Sequence, residues 1–497
     1  MSVMRTKSIE QSIHEGDDPE YQLKRRLTAL DLTTFGVGVI IGAGIFTLTG
    51  RAAHDVAGPS IVLSFVLAAL CCGTAALCYA EFASSVPVSG SAYTFSYASL
   101  GEVVAWIIGW DLLLELLLGA SVVAQGWSSY FGVFLGHLGI DIPESIGYGS
   151  HFDLMALLLV AVITVIVSIG IKESMRVNLV LVGIKLFIVL FVIVAGIGFI
   201  NRANYTPFIP PSRPVPAKPA LQQPLIEWAL GLSPTAFGVL GIVSGASLVF
   251  FAYIGFDVVA TTAEEAKNPQ RDLPIGIIGS LVICTVLYCA VALVITGMIP
   301  FDKISTEAAL ATAFESVGKP AYATLISAGA VAGLTTVVMT LLIGASRVLF
   351  AMSRDWLLPP SFGKVNSRTG TPLRITITIG TLVALVAALT PVGTLEFMVN
   401  IGTLAAFTLV SIAVPVLRRK RPDLPRPFKV PGNPWLPLLA AAIAIYLMLT
   451  LPVETWIRFL AWMALGVVIY FAYGYRRSRL SGRPNPDEDA VASMTST

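Results

Sequence analysis

Two glycine-interrupted segments and three ionisable side chains set inside apolar stretches are where this chain of 497 residues could do chemistry. The first segment is Val39-Ile40-Ile41-Gly42-Ala43-Gly44-Ile45-Phe46, and the second is Phe250-Phe251-Ala252-Tyr253-Ile254-Gly255-Phe256-Asp257. An interrupted helix leaves N–H and C=O groups unpaired, and these are tolerated at membrane depth only where they line a cavity. N–H groups at a half-helix start receive a carboxylate and carbonyls receive an ammonium, so such a break suits a zwitterion. Glycine has no side chain and lets the ligand approach the backbone. The competing reading for either Gly-rich piece alone is small-residue packing between membrane helices.

The ionisable groups are Asp111, Glu115 and Lys185. Lys185 follows Val177 by eight residues, about 12 Å along a helix, which is close to the middle of a roughly 30 Å hydrocarbon core. A charge there is expensive, and its usual justification is functional; a salt bridge or hydrogen-bonded anchor is the structural alternative. Asp111 and Glu115 are four residues apart and share one helical face, with Glu115 about 21 Å from Gly101. Glu115 has three roles open to it: pairing with Lys185, lining a pocket, or anchoring helix packing. Asp257 suits a cap for the helix that resumes after the second break.

The elements that must hold these residues are membrane spans. Apolar residues make up 55% of the chain and charged residues 12%, and mean hydropathy is +0.80. A soluble chain carries about twice that share of charge, so the lipid bilayer is the expected solvent. Twelve apolar runs of spanning length cover 30–49, 59–80, 103–132, 153–170, 177–200, 237–262, 276–298, 321–350, 374–390, 397–417, 436–451 and 455–474. With the N-terminus inside, 24 of the 32 Lys and Arg fall on the inner side and 7 on the outer, which places both termini in the cytoplasm. The polar first 26 residues lack the apolar region of a cleavable signal. The five cysteines sit in apolar runs and read as buried hydrophobes, with no disulfide or metal framework. The Pro-rich stretch 207–224 reads as an extended outer connection.

The sixth run is the first plus five, so the two breaks occupy matching places in two five-helix halves, the pattern of an inverted-repeat transporter. The expected fold is therefore an all-α integral membrane protein of twelve transmembrane helices. Its parts are a tail at 1–29, a first repeat at 30–200, an outer loop at 201–236, a second repeat at 237–417, two further helices at 418–474 after a basic loop, and a tail at 475–497. No zinc-protease motif, nucleophile elbow or nucleotide-binding motif is present, which sets aside a membrane enzyme or a primary pump. No cofactor and no nucleic-acid partner is expected.

Several stretches between residues 25 and 475 resemble the amino acid–polyamine–organocation superfamily, and within it the bacterial cationic amino acid transporters. They are Gly36 to Phe46; Tyr79-Ala80-Glu81-Phe82 with Gly90-Ser91-Ala92-Tyr93; Phe250 to Asp257 continuing into Glu264-Glu265-Ala266-Lys267-Asn268-Pro269-Gln270-Arg271-Asp272-Leu273-Pro274; Ala351 to Asp355; and Arg426 to Pro431. The resemblance implies a five-plus-five inverted repeat, discontinuous helices 1 and 6, two extra C-terminal helices, alternating access and a plasma-membrane location. It implies an amino acid seated on Ile40, Ile41, Gly42, Ala43 and Gly44 and on Phe250, Phe251, Ala252, Tyr253 and Ile254. The carboxylate would meet Gly42, Ala43 and Gly44, and the amino group the carbonyls near Ile40, Ile41, Phe251 and Ile254. Relatives often carry Thr or Ser in the middle of the first break, and Ala43 here offers only backbone.

The resemblance also places a lysine in the fifth helix where sodium-coupled relatives bind an ion. Lys185, with Glu115 as the second candidate, would thus couple transport to a proton. An amino acid exchanger without proton coupling is the alternative. Family members carry neutral as well as cationic amino acids. The apolar segments around 250–256 and 335–339 favour a small neutral one such as alanine, while Glu115 is the one acid that could meet a cationic side chain. A branched side chain at Gly44 is expected to block the seat without preventing folding. Glu264, Glu265, Lys267, Arg271 and Asp272, with Glu81, are expected to form an inner-face charge network or a solvated loop.

Overall fold

The computed structural model describes residues 27–479, apart from 86–90, 100, 144, 170–174, 216–218, 233–234, 367–368 and 370. Residues 1–26 and 480–497 of the two tails, Gly90, Lys172 and Lys218 therefore lie outside the described residues, as does the side chain of Glu264.

A helix or an interrupted helix overlies each of the twelve apolar runs. In chain order the long ones are α1 (Ala29–Ile40), α2 (Ile61–Ser85), α3 (Glu102–His137), α4 (Leu154–Ile169), α5 (Met175–Ile197) and α6 (Gly238–Val249). They continue as α7 (Pro269–Met298), α8 (Pro320–Arg354), α9 (Leu373–Leu389), α10 (Val392–Lys420), α11 (Trp435–Leu449) and α12 (Val453–Ile469). Among the described residues, eight helical stretches are long and apolar enough to cross a membrane, and four shorter apolar helices, α1, α4, α9 and α11, accompany them.

Local chemistry explains the boundaries. Thr28 and Asp31 form a reciprocal capping box at the start of α1, which satisfies two N–H groups the first turn cannot. Proline opens α7 and α8, where its missing N–H costs nothing. That device moves the start of α7 to Pro269, earlier than the apolar run beginning at 276. α10 ends on Arg418, Arg419 and Lys420, cations that suit a helix C-terminus.

The centre of the bundle is α3 packed along α8, with α10 on another side of α3, and α7 joining α1 to α2. In α3, 83% of the most apolar stretch is buried, whereas in Val453–Arg477 only 22% is, so α3 is scaffold and α12 is periphery. The loop before α6 is more structured than a plain extended connection. It carries a short helix, Leu225–Leu230, and a two-residue antiparallel pairing of Arg213–Pro214 with Thr235–Ala236. Two further short helices, Ser91–Ser99 and Ala309–Ser316, sit between long ones.

Candidate functional site

Both glycine-interrupted segments are breaks. α1 stops at Ile40, Ile41 turns extended, and the chain resumes beyond Gly42 as a wide helical turn over Gly44–Leu48. α6 tightens over Phe250–Tyr253, Ile254 turns extended, and Gly255 takes φ +116° before a tight helix over Asp257–Glu265. That dihedral is open to glycine and strained for other residues. The breaks touch: a Cβ on Gly44 would overlap the backbone and methyl of Ala252.

Beside this contact lies a small cavity of about 20 Å³, walled by both breaks and by α3 and α8. Ile40, Gly42, Ala43 and Gly44 come from the first break and Phe251 and Ile254 from the second. Glu115, Gly119 and Val123 present one face of α3 at four-residue spacing, and Val337 and Leu341 do the same on α8. The walls are apolar apart from exposed backbone and the Glu115 carboxyl. The lining is polar at the breaks and hydrocarbon at Val123, Val337 and Leu341.

The last carbonyls of α1 are held by side chains from other helices. The Lys185 ammonium, 2% exposed, donates to the Gly38 carbonyl at 2.7 Å. The Tyr288 hydroxyl of α7 donates to the Ile40 carbonyl at 2.7 Å. Lys185 threads between α1 and α8, where a Cβ on Gly333 would stand 2.9 Å from its Cγ. Beyond the break, Thr47 donates to the Ala43 carbonyl at 2.6 Å and Tyr130 of α3 to the Phe46 carbonyl at 2.6 Å. Carbonyls displaced from a regular ladder thus receive donors one by one.

Glu115 and Asp111 are both buried on α3. Glu115 reaches the cavity wall with the Thr403 hydroxyl beside it, and among the described residues its Oε1 has no hydrogen-bond partner. Neither oxygen of Asp111 has one; Asp111 Oδ1 lies against Gly402, where an added Cβ would be 2.8 Å away. Asp257 is not the cap, which is Phe256 without a side-chain bond; it is the first residue of the resumed helix, where its carboxylate sits against the backbone amides of Gly255, Asp257 and Val258.

Six of the ten expected seat residues line the cavity, Ile40, Gly42, Ala43, Gly44, Phe251 and Ile254, and Glu115, expected as a coupling candidate, lines it with them. The other four of the two breaks stand behind it. Ile41 is fully buried, Phe250 stacks edge-on to Phe407, Ala252 packs on Gly44, and Tyr253 donates to the Phe65 carbonyl at 3.0 Å. Lys185 lies off the cavity, one turn before the break. Gly119, Val123 and Leu341 carry no mark in the sequence, and Val39 enters there only as the start of the first segment. The four-residue spacing from Glu115 to Gly119 to Val123 is the signal that points to the α3 members.

Ion pairs close the two ends of the bundle. Arg51, past the first break, meets Glu396 of α10 at 2.6 Å, with Glu396 2% exposed. At the opposite end Glu81 accepts from Arg418 Nε at 2.8 Å and from the Val430 amide at 2.7 Å, with Arg426 at 3.6 Å. Glu81 thus belongs with the basic stretch 418–430 rather than with Glu265, which pairs loosely with Arg347 at 3.8 Å. Asp272 accepts the Asn268 amide at the start of α7. Leu27 pairs backbone to backbone with the segment after the second break, through Glu265 and Lys267. Among the described residues no His, Cys, Asp and Glu group could hold a metal ion.

The family model for amino acid permeases matches residues 27–471. The branched-chain amino acid permease BcaP of Bacillus subtilis is 47% identical over 97% of this chain and 99% of its own length. The methylthioribose transporter of the same organism is 45% identical over 92% of this chain and 95% of its own. The vacuolar cationic amino acid transporter 4 of Arabidopsis thaliana is 37% identical over 85% of this chain and 68% of its own. These are membrane transporters, not enzymes, and this chain belongs to the amino acid permease family of the amino acid–polyamine–organocation superfamily.

Proposed function

We propose that this permease is a secondary carrier that moves a neutral aliphatic amino acid together with a proton by alternating access. All twelve helices would cross the plasma membrane as a five-plus-five inverted repeat followed by two more, with both termini cytoplasmic. The division into repeats at 30–200 and 237–417 follows from that reading. The weight of Lys and Arg on one side supports the orientation.

The observation that carries the coupling is the Lys185–Gly38 contact at 2.7 Å. A charged amine there takes the place of a bound cation between α1, α5 and α8 and draws the end of α1 into the geometry that frees the break. Without its proton the amine can no longer donate a charge-assisted hydrogen bond, and the break relaxes. Proton and substrate then bind with reciprocal effect. The amino acid's carboxylate would face the amides at Gly42–Gly44, and its ammonium the carbonyls at Ile40 and Ile254. The apolar far wall supports a neutral aliphatic side chain, from alanine up to a branched chain of the kind named for BcaP.

A second reading has one observation in its favour. Glu115 borders the cavity with Oε1 unpartnered, which would suit a cationic side chain. A thermal-stability screen of the purified protein against all amino acids separates the two, since ligands of the folded state raise its melting temperature. Stabilisation by arginine and none by alanine, valine or leucine would reject the neutral class. For coupling, Lys185→Ala in proteoliposomes is expected to lose uptake driven by an inward proton gradient. Uptake equal to the parent's would make Lys185 a structural anchor and move the coupling to Glu115, whereas a parent with no proton-driven uptake at all would be an uncoupled exchanger.

A further inference from the structure

Glu102, in the first turn of α3, is fully buried and receives hydroxyls from three separate parts of the chain. Tyr470 donates to its Oε1 at 2.8 Å, and Tyr97 and Ser478 donate to its Oε2 at 3.1 Å and 2.5 Å. A carboxylate taken out of water needs such donors, and the N-terminal end of a helix favours its charge. Tyr97 lies on Ser91–Ser99, the short helix between α2 and α3. Tyr470 opens the wide helical turn Tyr470–Gly474 that continues α12, and Ser478 follows the last helical residues, Tyr475–Arg477. Residues 475–478, expected in the tail, thus end in a packed position, with Ser478 1% exposed. An added Cβ on Gly474 would stand 3.3 Å from the Leu357 carbonyl beyond α8. A helix as peripheral as α12 therefore finishes in a buried polar cluster.

What that cluster holds is the Ser91–Ser99 helix, which packs on α3, on α10 and on the tight helix Asp257–Glu265 beyond the second break. Tyr93 and Tyr97 are one turn apart on it, with ring centroids separated by 5.9 Å. Tyr93 donates to Asp355 at the end of α8 at 2.6 Å, while Tyr97 reaches the end of the chain through Glu102. Ser91–Ser99 follows α2, so it stands at the end of the bundle that carries Glu81 and Arg418. Opening the cavity at that end requires Asp257–Glu265 and Ser91–Ser99 to part.

We propose that Glu102 is a positioning residue through which the end of the chain, by Ser478 and Tyr470, holds Ser91–Ser99 against the segment after the second break and keeps this end of the transport path closed. The inference rests on the carrier reading above and adds to it a part of the chain outside both repeats. Three hydroxyls fix the carboxylate and the fixed carboxylate fixes Tyr97, so the short helix is ordered before it meets its partner. With a donor lost, that order must be supplied by the contact itself, and the population shifts toward the state open at this end.

The reporter is Thr262→Cys, at a residue 4% exposed in the Asp257–Glu265 helix. The full chain is purified in detergent and labelled with a hydrophilic maleimide in the absence of any amino acid. The same protein without the reporter gives the background from the native cysteines. Ser478→Ala and Tyr97→Phe are each expected to raise the labelling rate roughly three- to tenfold. Because both act through one carboxylate, the double variant should label no faster than Tyr97→Phe alone. An unchanged rate in folded Ser478→Ala, with or without a lower melting temperature, is the mark of a merely structural role and overturns the proposal. Effects that multiply in the double variant overturn it too. Should Ser478→Ala fail to fold, Tyr470→Phe takes its place in the same cycle and must meet both conditions. The carrier reading fails differently: a parent that neither binds nor transports any amino acid would strike that reading, while the labelling rates, read without substrate or gradient, would stand.

Discussion

Gly42 and Gly44 flank Ala43 in the same break, yet the structure assigns their missing side chains different work. A Cβ at Gly44 would collide with the Cα and Cβ of Ala252, so even alanine there must push the two breaks apart. Overpacking of that kind costs about 1–3 kcal/mol, and Gly44→Ala is expected to lower the melting temperature along with transport. Gly44→Val, which from the sequence alone reads as a clean block of the seat, is thus a folding mutation as well. A Cβ at Gly42 meets only Val337, at 3.4 Å and 3.6 Å, and the Val39 carbonyl at 3.8 Å. Those are ordinary contacts, so Gly42→Ala should fold with near-parental stability while its methyl enters the cavity. If the carboxylate binds at this break, the methyl deprives it of one charge-assisted bond to a backbone amide, worth about 1.5–3 kcal/mol. At 1.4 kcal/mol per factor of ten, half-saturation should rise roughly ten- to hundredfold. Thermal unfolding in detergent and initial uptake rates in proteoliposomes, measured on both variants, form the assay. A folded Gly42→Ala protein with the parent's half-saturation would refute the placement of the carboxylate.

Two further expectations concern the ends of the bundle. Removing Arg51 strands the Glu396 carboxylate, which is 2% exposed against 30% for Arg51. Arg51→Ala should destabilise by about 1–3 kcal/mol, discounted for the half-exposed partner. The double variant Arg51→Ala/Glu396→Gln should recover part of that loss in a thermal-unfolding cycle; no recovery would mean that Glu396 carries no uncompensated charge. At the other end, Glu81→Gln exchanges a carboxylate that accepts from Arg418 and the Val430 amide for an amide. Trypsin is expected to cut after Lys429 several times faster in the folded variant, and an unchanged rate would assign the anchoring to the Arg418–Val430 carbonyl contact at 3.0 Å instead.

What the sequence made legible and what it hid divide along a physical line. Apolar runs and glycine pairs are local signals, and helices with two breaks stand where those signals lie. Helix ends moved where a proline or a cap decided them: Pro269 begins α7 well before its apolar stretch, because N1 tolerates a residue without an N–H. The side chains that secure the break were invisible for another reason. Tyr288 and Tyr130 look like ordinary aromatic residues in apolar runs, and their partners, the carbonyls of Ile40 and Phe46, are 248 and 84 positions away. A backbone acceptor carries no residue type, so no pattern of letters marks it. Lys185 was legible because a charge in lipid demands a reason, whereas a tyrosine in the same surroundings demands none. In a fold whose seat is unwound backbone, the residues that shape the seat are therefore the donors that hold carbonyls displaced from the helix, and such donors are found by asking where each displaced carbonyl's hydrogen bond goes.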